Sequence, residues 1–335
     1  MNKVLVTGGA GFVGSHVADA FLADGSAVTV LDNLTTGKRE NVPVQAELIQ
    51  ESIGSPAAAA LVGQRKFDVI VHCAAQMDVR KSVDDPILDA TTNIVGTLNL
   101  MEAVRAGSTP TRIVFTSTGG ALYGDFTTPP NEEEFAKEPE APYAVSKLAG
   151  EYYLAYYSRV HGLDTVALRL GNVYGPRQDP HGEAGVVAIF CGRIVAGQPL
   201  TIVGSGEQTR DYIYVGDVVR AIQLAARRNL PPPGKLDSRA FNVGTGEGTS
   251  VNELARLLQA AAGSSLPLEH VAARPGEQMT SVLSVEKAAS VLGWKAEVPL
   301  PVGLRLTFQW FAERAEAPAT PAGQSPARAA TRRPT

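Results

Sequence analysis

The feature that constrains this chain most strongly is the turn that follows its first apolar run. Residues 4–7 are Val-Leu-Val-Thr, and glycines follow at Gly8, Gly11 and Gly14 before a helical pattern begins. Glycines at a strand-to-helix turn let backbone N–H groups approach a pyrophosphate at the helix N-terminus. The spacing differs from Gly-x-Gly-x-x-Gly, so the glycines alone also fit an ordinary glycine-rich turn.

The first half of the chain alternates short apolar runs with amphipathic segments. We predict strands over residues 4–6, 27–31, 69–72, 112–116 and 165–170, and helices over 15–23, 93–105 and from about Ala144. This alternation predicts an α/β fold of the Rossmann type, a doubly wound parallel sheet with helices on both faces.

The domain organisation is predicted from a change in the pattern after Gly171. Glycine and proline interrupt shorter elements there, as in a lobe that shapes a substrate pocket. We predict a dinucleotide-binding domain over residues 1–172 and a smaller C-terminal substrate-binding lobe over 173–312. Within that lobe, residues 212–246 are expected to return to the first sheet. Residues 313–335 have no periodicity and are predicted to be disordered.

An acidic residue at the end of the second predicted strand identifies the dinucleotide. That strand ends at Asp32-Asn33. A carboxylate at this position accepts hydrogen bonds from the adenosine ribose hydroxyls and repels a 2′-phosphate. The glycine turn and Asp32 together predict a site for NAD rather than NADP.

A candidate catalytic pair lies in the helix that starts near Ala144. Tyr143 and Lys147 are one helical turn apart, so they share a face. A phenol titrates near ~10, but a neighbouring ammonium and a cationic nicotinamide ring both favour the phenolate. Ser117 and Thr118 come directly after the strand at 112–116, at the sheet edge where ligands bind. This set is suited to removing a proton from an alcohol while its carbon is oxidised.

Composition excludes several classes of function. The net charge is −4 and no basic patch interrupts the chain, so neither nucleic acid nor an anionic membrane is an expected partner. No apolar stretch approaches the ~20 residues that a membrane span needs.

The cysteines, histidines and acidic residues give further expectations. Two distant cysteines predict a reducing, cytoplasmic location. The five histidines lack metal-ligand spacing, so no metal is expected, and the acidic run at 132–134 is interpreted as a solvated loop.

Several segments match, in order, the motifs of a known family over about residues 1–312. They are TGGAGFVGSH, LDNLTTGKREN, HCAAQ, STGGALYG, PYAVSK, LRLGNVYGPRQ, TRDYIYVGDV and FNVGTGEG. The chain resembles the extended short-chain dehydrogenases/reductases and, within them, is most similar to the bacterial UDP-glucose 4-epimerases. The resemblance implies an isomerase of nucleotide-sugar and galactose metabolism that uses NAD on UDP-glucose and UDP-galactose. It also implies a homodimer that pairs through the helices following Asn93 and Tyr143.

The resemblance implies a role for each matching position. Tyr143 would be the base, Lys147 would lower its pKa and hold the nicotinamide ribose, and Thr118 would bond the sugar O4. The implied cofactor contacts are Gly8, Gly11, Phe12, Val13, Gly14, Asp32, Asn33, Ile53, Ala74, Ala75, Asn93, Ser117, Tyr143, Lys147 and Leu170. The implied substrate contacts are Thr118, Tyr143, Asn172, Arg210, Arg274, Glu277 and Ser281.

Some positions depart from the family pattern or bear on specificity. An Asp-Ile pair that contacts adenine falls here at Ser52-Ile53, with Glu51 one place early, and Glu277 replaces an Asp. Arg210 and Arg274 would grip the diphosphate, because guanidinium forks match phosphate oxygens. Ser281 occupies a position that is aromatic in enzymes restricted to glucose and galactose, so UDP-GlcNAc and UDP-GalNAc are expected substrates as well.

The residues directly after Thr118 bear on other activities of the same scaffold. The 4,6-dehydratases and uronate decarboxylases carry a carboxylate in this region, whereas Gly119 and Gly120 stand here. Both activities are therefore disfavoured, while a UDP-glucuronate 4-epimerase stays open. A non-catalytic NAD-binding regulatory module is the alternative of a different class, and it would not need Tyr143 and Lys147.

Overall fold

The computed structural model describes residues 2–107, 109–181, 185–273 and 278–316, and its largest element is a seven-stranded parallel sheet. The strands of that sheet are Lys3–Thr7 (β1), Ala27–Asp32 (β2), Glu47–Gln50 (β3), Val69–His72 (β4), Arg112–Thr118 (β5), Asp164–Leu170 (β6) and, later in the chain, Ala240–Val243 (β11). Their spatial order is β11-β6-β5-β4-β1-β2-β3. The order reverses between β1 and β4, which confirms the predicted doubly wound fold.

Helices surround this sheet and build the second lobe. They are Phe12–Ala23 (α1), Pro56–Arg65 (α2), Val79–Asp84 (α3), Pro86–Ala90 (α4), Gly96–Ala106 (α5), Pro142–His161 (α6), Val186–Val195 (α7), Val215–Arg227 (α8), Val251–Ala262 (α9) and Leu300–Glu316 (α10). Helices α1 and α8 cover one face of the sheet, and α2, α5 and α6 cover the other. Shorter helical segments span Arg39–Asn41, Thr91–Val95, Leu236–Arg239 and Ala288–Leu292.

Alternate residues of the strands build two separate cores. On β1, Val4 and Val6 face a core that contains α1 and α8, whereas Leu5 faces a core that contains α2, α5 and α6. Successive side chains of a strand point to opposite faces, so a strand buried on both faces is apolar throughout. This explains why the apolar runs of the sequence predicted the inner strands well.

The second lobe has its own core. Its short strands are Asn172–Tyr174 (β7), Leu200–Val203 (β8), Thr209–Arg210 (β9), Tyr212–Tyr214 (β10), Thr249–Ser250 (β12), Leu268–Val271 (β13) and Thr280–Ser281 (β14). They form the pairs β10-β7 and β13-β8 and the three-stranded sheet β12-β9-β14. Helices α7, α9 and α10 pack together around Phe190, Leu254 and Leu304.

Two features differ from the prediction. Strand β3 was not predicted, because its sequence ELIQ lies at the sheet edge and has only two apolar residues. Helix α10 continues to Glu316, so residues 313–316 of the segment expected to be disordered are helical. Phe311 is buried in the lobe core, and this packing supports the last turns of the helix. Residues 317–335 lie outside the described residues.

Over the ranges that the structure describes, no helix is long and apolar enough to cross a membrane.

Candidate active site

A cleft of about 380 Å³ opens at the carboxyl ends of the central strands, next to the reversal of strand order. This is where ligands bind in open α/β sheets. Most of the predicted site residues line it: Gly8, Gly11, Phe12, Val13, Gly14, Asp32, Asn33, Ile53, Ala74, Ala75, Ser117, Thr118, Tyr143, Lys147, Leu170 and Asn172.

The glycine turn between β1 and α1 is built for close backbone approach. Gly8 has a positive φ of 68°, and its N–H donates to the Leu31 carbonyl at 2.8 Å. A Cβ on Gly14 would lie 2.2 Å from the Gly8 carbonyl oxygen, so α1 can touch the turn only without a side chain there. No side chain caps the N-terminus of α1 at Gly11. Its first N–H groups therefore suit a pyrophosphate.

Asp32 at the end of β2 is held by the same turn. One carboxylate oxygen accepts from the Ala10 N–H at 2.9 Å, and the other accepts from the Leu34 N–H at 2.8 Å. A carboxylate offers about four acceptor positions, so two stay open for a diol. This geometry fits the adenosine ribose hydroxyls of NAD.

Tyr143 and Lys147 are placed in the cleft by the first turns of α6. Pro142 begins the helix, where its missing N–H costs nothing. The Tyr143 N–H donates to Ser82 Oγ at 3.2 Å, and Ser146 Oγ donates to the Tyr143 carbonyl at 2.9 Å. Lys147 Nζ donates to the Thr116 carbonyl at 2.9 Å and lies 5.9 Å from the centre of the Tyr143 ring. The ammonium thus sits between the phenol and the end of β5.

Burial shifts the proton affinity of both groups. It raises the pKa of Tyr143, and the carboxylate of Asp89 raises that pKa further. Burial also lowers the pKa of Lys147 to about 8, against the opposing influence of Cys73, Asp89 and Glu151. Desolvation therefore dominates the pKa of Tyr143 among the described residues. The expected lowering of that pKa by Lys147 together with a bound nicotinamide ring stays a prediction.

Two polar atoms in the cleft wall lack protein partners. Ser117 Oγ and Asn172 Oδ1 are buried, and neither has a hydrogen-bond partner among the described residues. Nearly all buried polar groups in native proteins are paired, so such atoms in a cleft point to a bound ligand. Ser117 directly precedes Thr118, the last residue of β5, and Asn172 begins β7.

Asn93, a predicted cofactor contact, is buried beside the cleft. It is only 3% exposed and is not part of the cleft lining. Its Oδ1 accepts from the Gln76 N–H at 2.8 Å, and its Nδ2 donates to the Gln76 carbonyl at 2.9 Å. Asn93 therefore supports the turn at Ala74-Ala75 from behind, and the helical segment that carries it packs against α6.

Two of the predicted diphosphate and sugar contacts, Arg210 and Ser281, lie at the edge of the second lobe. Arg210 on β9 is half-buried and donates to the Gln278 carbonyl at 2.7 Å. Ser281 on β14 pairs with Arg210 in register and donates to the Gly120 carbonyl at 3.3 Å. Neither side chain belongs to the cleft lining. Arg274 and Glu277 lie outside the described residues.

Further cleft residues were missed by the sequence reasoning. One group of them comes after β6 in the chain, where the segment LRLGNVYGPRQ and the residues beyond it enter the cleft at the same sheet edge. Others precede β6, among them Thr36, Gly37, Met77, Thr92 and Thr116. The rule that places ligands at strand ends could have found the group after β6. The group after β6 includes Tyr174, Gln178, Gly185, Val186, Val187 and Tyr212.

The buried histidine near the cleft is structural. His72 bonds Thr7 Oγ1 at 2.7 Å and Thr97 Oγ1 at 2.9 Å. Burial lowers its pKa to about 3, so its ring is neutral. Within the described ranges, no three His, Cys, Asp or Glu side chains are grouped so that they could hold a metal ion.

Comparisons with known proteins agree with this geometry. A match to the NAD dependent epimerase/dehydratase family covers residues 4–244. A UDP-glucose 4-epimerase of Mycolicibacterium smegmatis is 42% identical over 94% of this chain and 100% of its own. The structure of a Thermotoga maritima UDP-glucose 4-epimerase with UDP-glucose has a TM-score of 0.89 and 42% identity, covering 94% of this chain and 100% of its own. A Thermus thermophilus UDP-glucose 4-epimerase complex with NAD has a TM-score of 0.84 and 44% identity, covering 92% and 98%.

Proposed function

The chain belongs to the NAD-dependent epimerase/dehydratase family, and on that premise we propose that it interconverts UDP-glucose and UDP-galactose at C4. The observation that carries the proposal is the placement of Tyr143 and Lys147 on α6, opposite the unpartnered Ser117 hydroxyl at the end of β5. An alcohol held there can lose its proton to Tyr143. The enzyme is thus an isomerase that needs no substrate other than one UDP-sugar.

The cleft fits NAD because the turn at Gly8 and Gly14 admits backbone contact and Asp32 keeps acceptor positions open. Bound NAD would supply reversible oxidation of the sugar C4 carbon. The chain's own residues do the rest. Tyr143 takes the proton from the C4 hydroxyl and later returns it to O4, while Thr118 donates a hydrogen bond to O4. Lys147 keeps a positive charge beside the phenol and favours its ionised form.

The residues after β5 support epimerisation over elimination. Gly119 and Gly120 come directly after Thr118, so no carboxylate stands where a 4,6-dehydratase or a decarboxylase needs one. Epimerisation needs only a base, the cofactor and an anchor around which the 4-ketose can turn. Arg210 and Arg274 are proposed as the diphosphate anchor, because bidentate guanidinium groups hold phosphates while the sugar stays mobile.

The reaction is tested by NMR of UDP-galactose, UDP-GalNAc and UDP-galacturonate, incubated separately with the protein with and without added NAD. We expect conversion of UDP-galactose to UDP-glucose. We also expect conversion of UDP-GalNAc, because the small side chain of Ser281 leaves room at C2. UDP-galacturonate should stay unchanged.

Each outcome of this experiment has one meaning. Turnover of UDP-galactose without UDP-GalNAc would contradict only the role of Ser281. Turnover of UDP-galacturonate alone would favour a uronate 4-epimerase. A protein that binds NAD but converts none of the three sugars would contradict the proposal and favour a regulatory module. Conversion without added NAD would mean that the cofactor stays bound through purification.

We further propose that the protein is a cytoplasmic homodimer that pairs through α5 and α6. An exposed apolar stripe supports the pairing, because contiguous apolar surface marks contact sites. The stripe consists of Val95, Val145, Tyr152, Tyr156 and Val160. The free thiols Cys73 and Cys191 support the reducing location.

Replacing both Tyr152 and Tyr156 by Glu should convert the dimer into a monomer, because the new charges would be desolvated in the interface. Size-exclusion chromatography with light scattering measures this. Val44→Glu is the control, since Val44 is an exposed apolar residue in a distant loop. A monomeric parent protein, or a double variant that stays dimeric, contradicts the pairing.

A further inference from the structure

Asp89 on α4 is a buried carboxylate that the proposed mechanism does not use. It is 1% exposed. One oxygen accepts from Gln76 Nε2 and from Asn93 Nδ2, each at 3.0 Å. The other oxygen is buried with no hydrogen-bond partner among the described residues. Burying a carboxylate oxygen without a hydrogen-bond partner lowers the stability of the fold, so the presence of Asp89 suggests a functional role.

A short chain of hydrogen bonds joins Asp89 to the catalytic helix. Asn93 Nδ2, which donates to Asp89, also lies 3.1 Å from Ser146 Oγ. Ser146 Oγ in turn donates to the Tyr143 carbonyl at 2.9 Å. Helix α4 packs directly against α6. Asp89 is thus fixed behind the segment that carries Tyr143 and Lys147.

The charge of Asp89 acts on both cleft residues in the same direction. It raises the pKa of Tyr143 and opposes the lowering of the Lys147 pKa by burial. A negative charge favours the protonated form of each neighbour, whether that form is a neutral phenol or an ammonium. The carboxylate of Asp89 therefore favours the protonated forms of both Tyr143 and Lys147.

Other charged groups near the pair cannot replace it. Glu151 on α6 is bound by the buried Arg169, and Cys73 at the end of β4 has its pKa raised by burial to about 12. Helix α3 also packs against α4 and α6, but its charged residues are exposed: Arg80, Lys81 and Asp84. In the part of the chain that the structure describes, Asp89 is the carboxylate that raises the pKa of Tyr143, and it acts against the ammonium of Lys147.

We propose that Asp89 is an electrostatic positioning residue, which holds the proton on Tyr143 and the charge on Lys147 between turnovers. Its consequence for turnover rests on the proposed epimerase function. Such an enzyme must take a proton from O4 and give it back, so its base must not be too acidic. The carboxylate of Asp89 counteracts the ammonium of Lys147 and keeps the return step favourable.

Asp89→Asn removes the charge while it keeps the size and one acceptor oxygen. Without the negative charge the pKa of Tyr143 and that of Lys147 both fall. Both limbs of the pH profile of kcat/KM depend on the proton content of this pair, so both should move to lower pH. We expect a shift of each limb by about 1 pH unit.

A second readout does not need turnover. The near-ultraviolet absorbance of tyrosinate is titrated in the NAD-loaded protein, and the titration of Tyr143→Phe is subtracted to isolate Tyr143. The midpoint should fall in Asp89→Asn even if the protein proves not to be an epimerase. Asp89→Thr, a second uncharged variant, should show the same change if Asp89→Asn fails to fold.

Ser146→Ala is the matched control. It breaks the hydrogen-bond chain to Tyr143 but leaves the charge of Asp89 in place, so kcat can change while both limbs keep their pH. Asp89→Asn or Asp89→Thr protein that melts at the parental temperature but keeps the parental limbs and tyrosinate midpoint overturns the proposal. Equal shifts in Ser146→Ala also overturn it, because they would assign the effect to geometry rather than charge.

Discussion

Tyr143→Phe should lower kcat for UDP-galactose by about 10²–10⁴-fold and leave NAD binding largely intact. The substitution removes the one oxygen that can take the C4 hydroxyl proton. The aromatic ring keeps its place beside Lys147, whose Nζ lies 5.9 Å from the ring centre. The backbone bonds of Tyr143 to Ser82 and Ser146 do not involve the phenol and should persist. Initial rates with UDP-galactose and the dissociation constant for NAD measure the two effects.

Tyr152→Phe is the matched control for this prediction. Tyr152 lies on the same helix but is 58% exposed on the opposite side from the cleft, so the loss of its hydroxyl should change kcat by no more than roughly twofold. Turnover near the parental rate in Tyr143→Phe would assign the proton to another group. An equal loss in both variants would point to damage to α6 rather than to lost chemistry.

The inner strands of the fold were predictable because each is buried on both faces. For example, Val4, Leu5 and Val6 are all fully buried, and such a short continuous apolar run indicates a buried strand. Strand β3 carries Glu47 and Gln50 on an exposed edge, so its sequence lacks that signal. Residues 47–50 become a strand because they pair with β2. That pairing is a tertiary contact, and the sequence of four residues does not indicate it.

The candidate site was predictable to the extent that its residues lie at strand ends or share a helix face. Local sequence patterns identified the glycine turn, Asp32, Tyr143 and Lys147. These residues also lie at the sheet edge where ligands bind in open α/β sheets. Sequence spacing cannot show which polar residues become buried behind the site. The bond of Asn93 to Gln76, for example, could not be read from the sequence.

Buried charges were misjudged for the same reason. The acidic run at 132–134 was interpreted as a solvated loop, yet Glu133 is 2% exposed. Its carboxylate accepts from the Asn242 N–H at 2.8 Å, and its carbonyl accepts from Arg169 at 2.8 Å. Arg169 also pairs with Glu151 inside the protein. Such groups are buried because partners from distant segments satisfy them, and no local pattern encodes those partners.

Gly14→Ala should disrupt the cofactor site through a direct clash with backbone. The added Cβ would lie 2.2 Å from the Gly8 carbonyl oxygen and 2.8 Å from its carbon. Both contacts are with backbone, so no rotamer change relieves them, and either α1 or the turn must move. Overpacking of this kind lowers the free energy of unfolding by about 1–3 kcal/mol. Displacement of the turn by about 1 Å should cost on the order of 10²-fold in kcat/KM.

Gly63→Ala is the control for the added methyl group. Gly63 lies on the exposed side of α2, and a Cβ there meets no atom within 4 Å. This variant should keep NAD binding and gain about 0.5–1 kcal/mol from helix propensity. Urea unfolding and titration of cofactor-free protein with NAD separate the two effects. If Gly14→Ala binds NAD as tightly as the parent, α1 can withdraw from the turn without loss, and its N-terminus does not hold the pyrophosphate. If Gly14→Ala binds NAD more weakly but unfolds at the parental urea concentration, the added methyl group acts on the cofactor site alone. That result would support most directly the binding of the pyrophosphate at the N-terminus of α1.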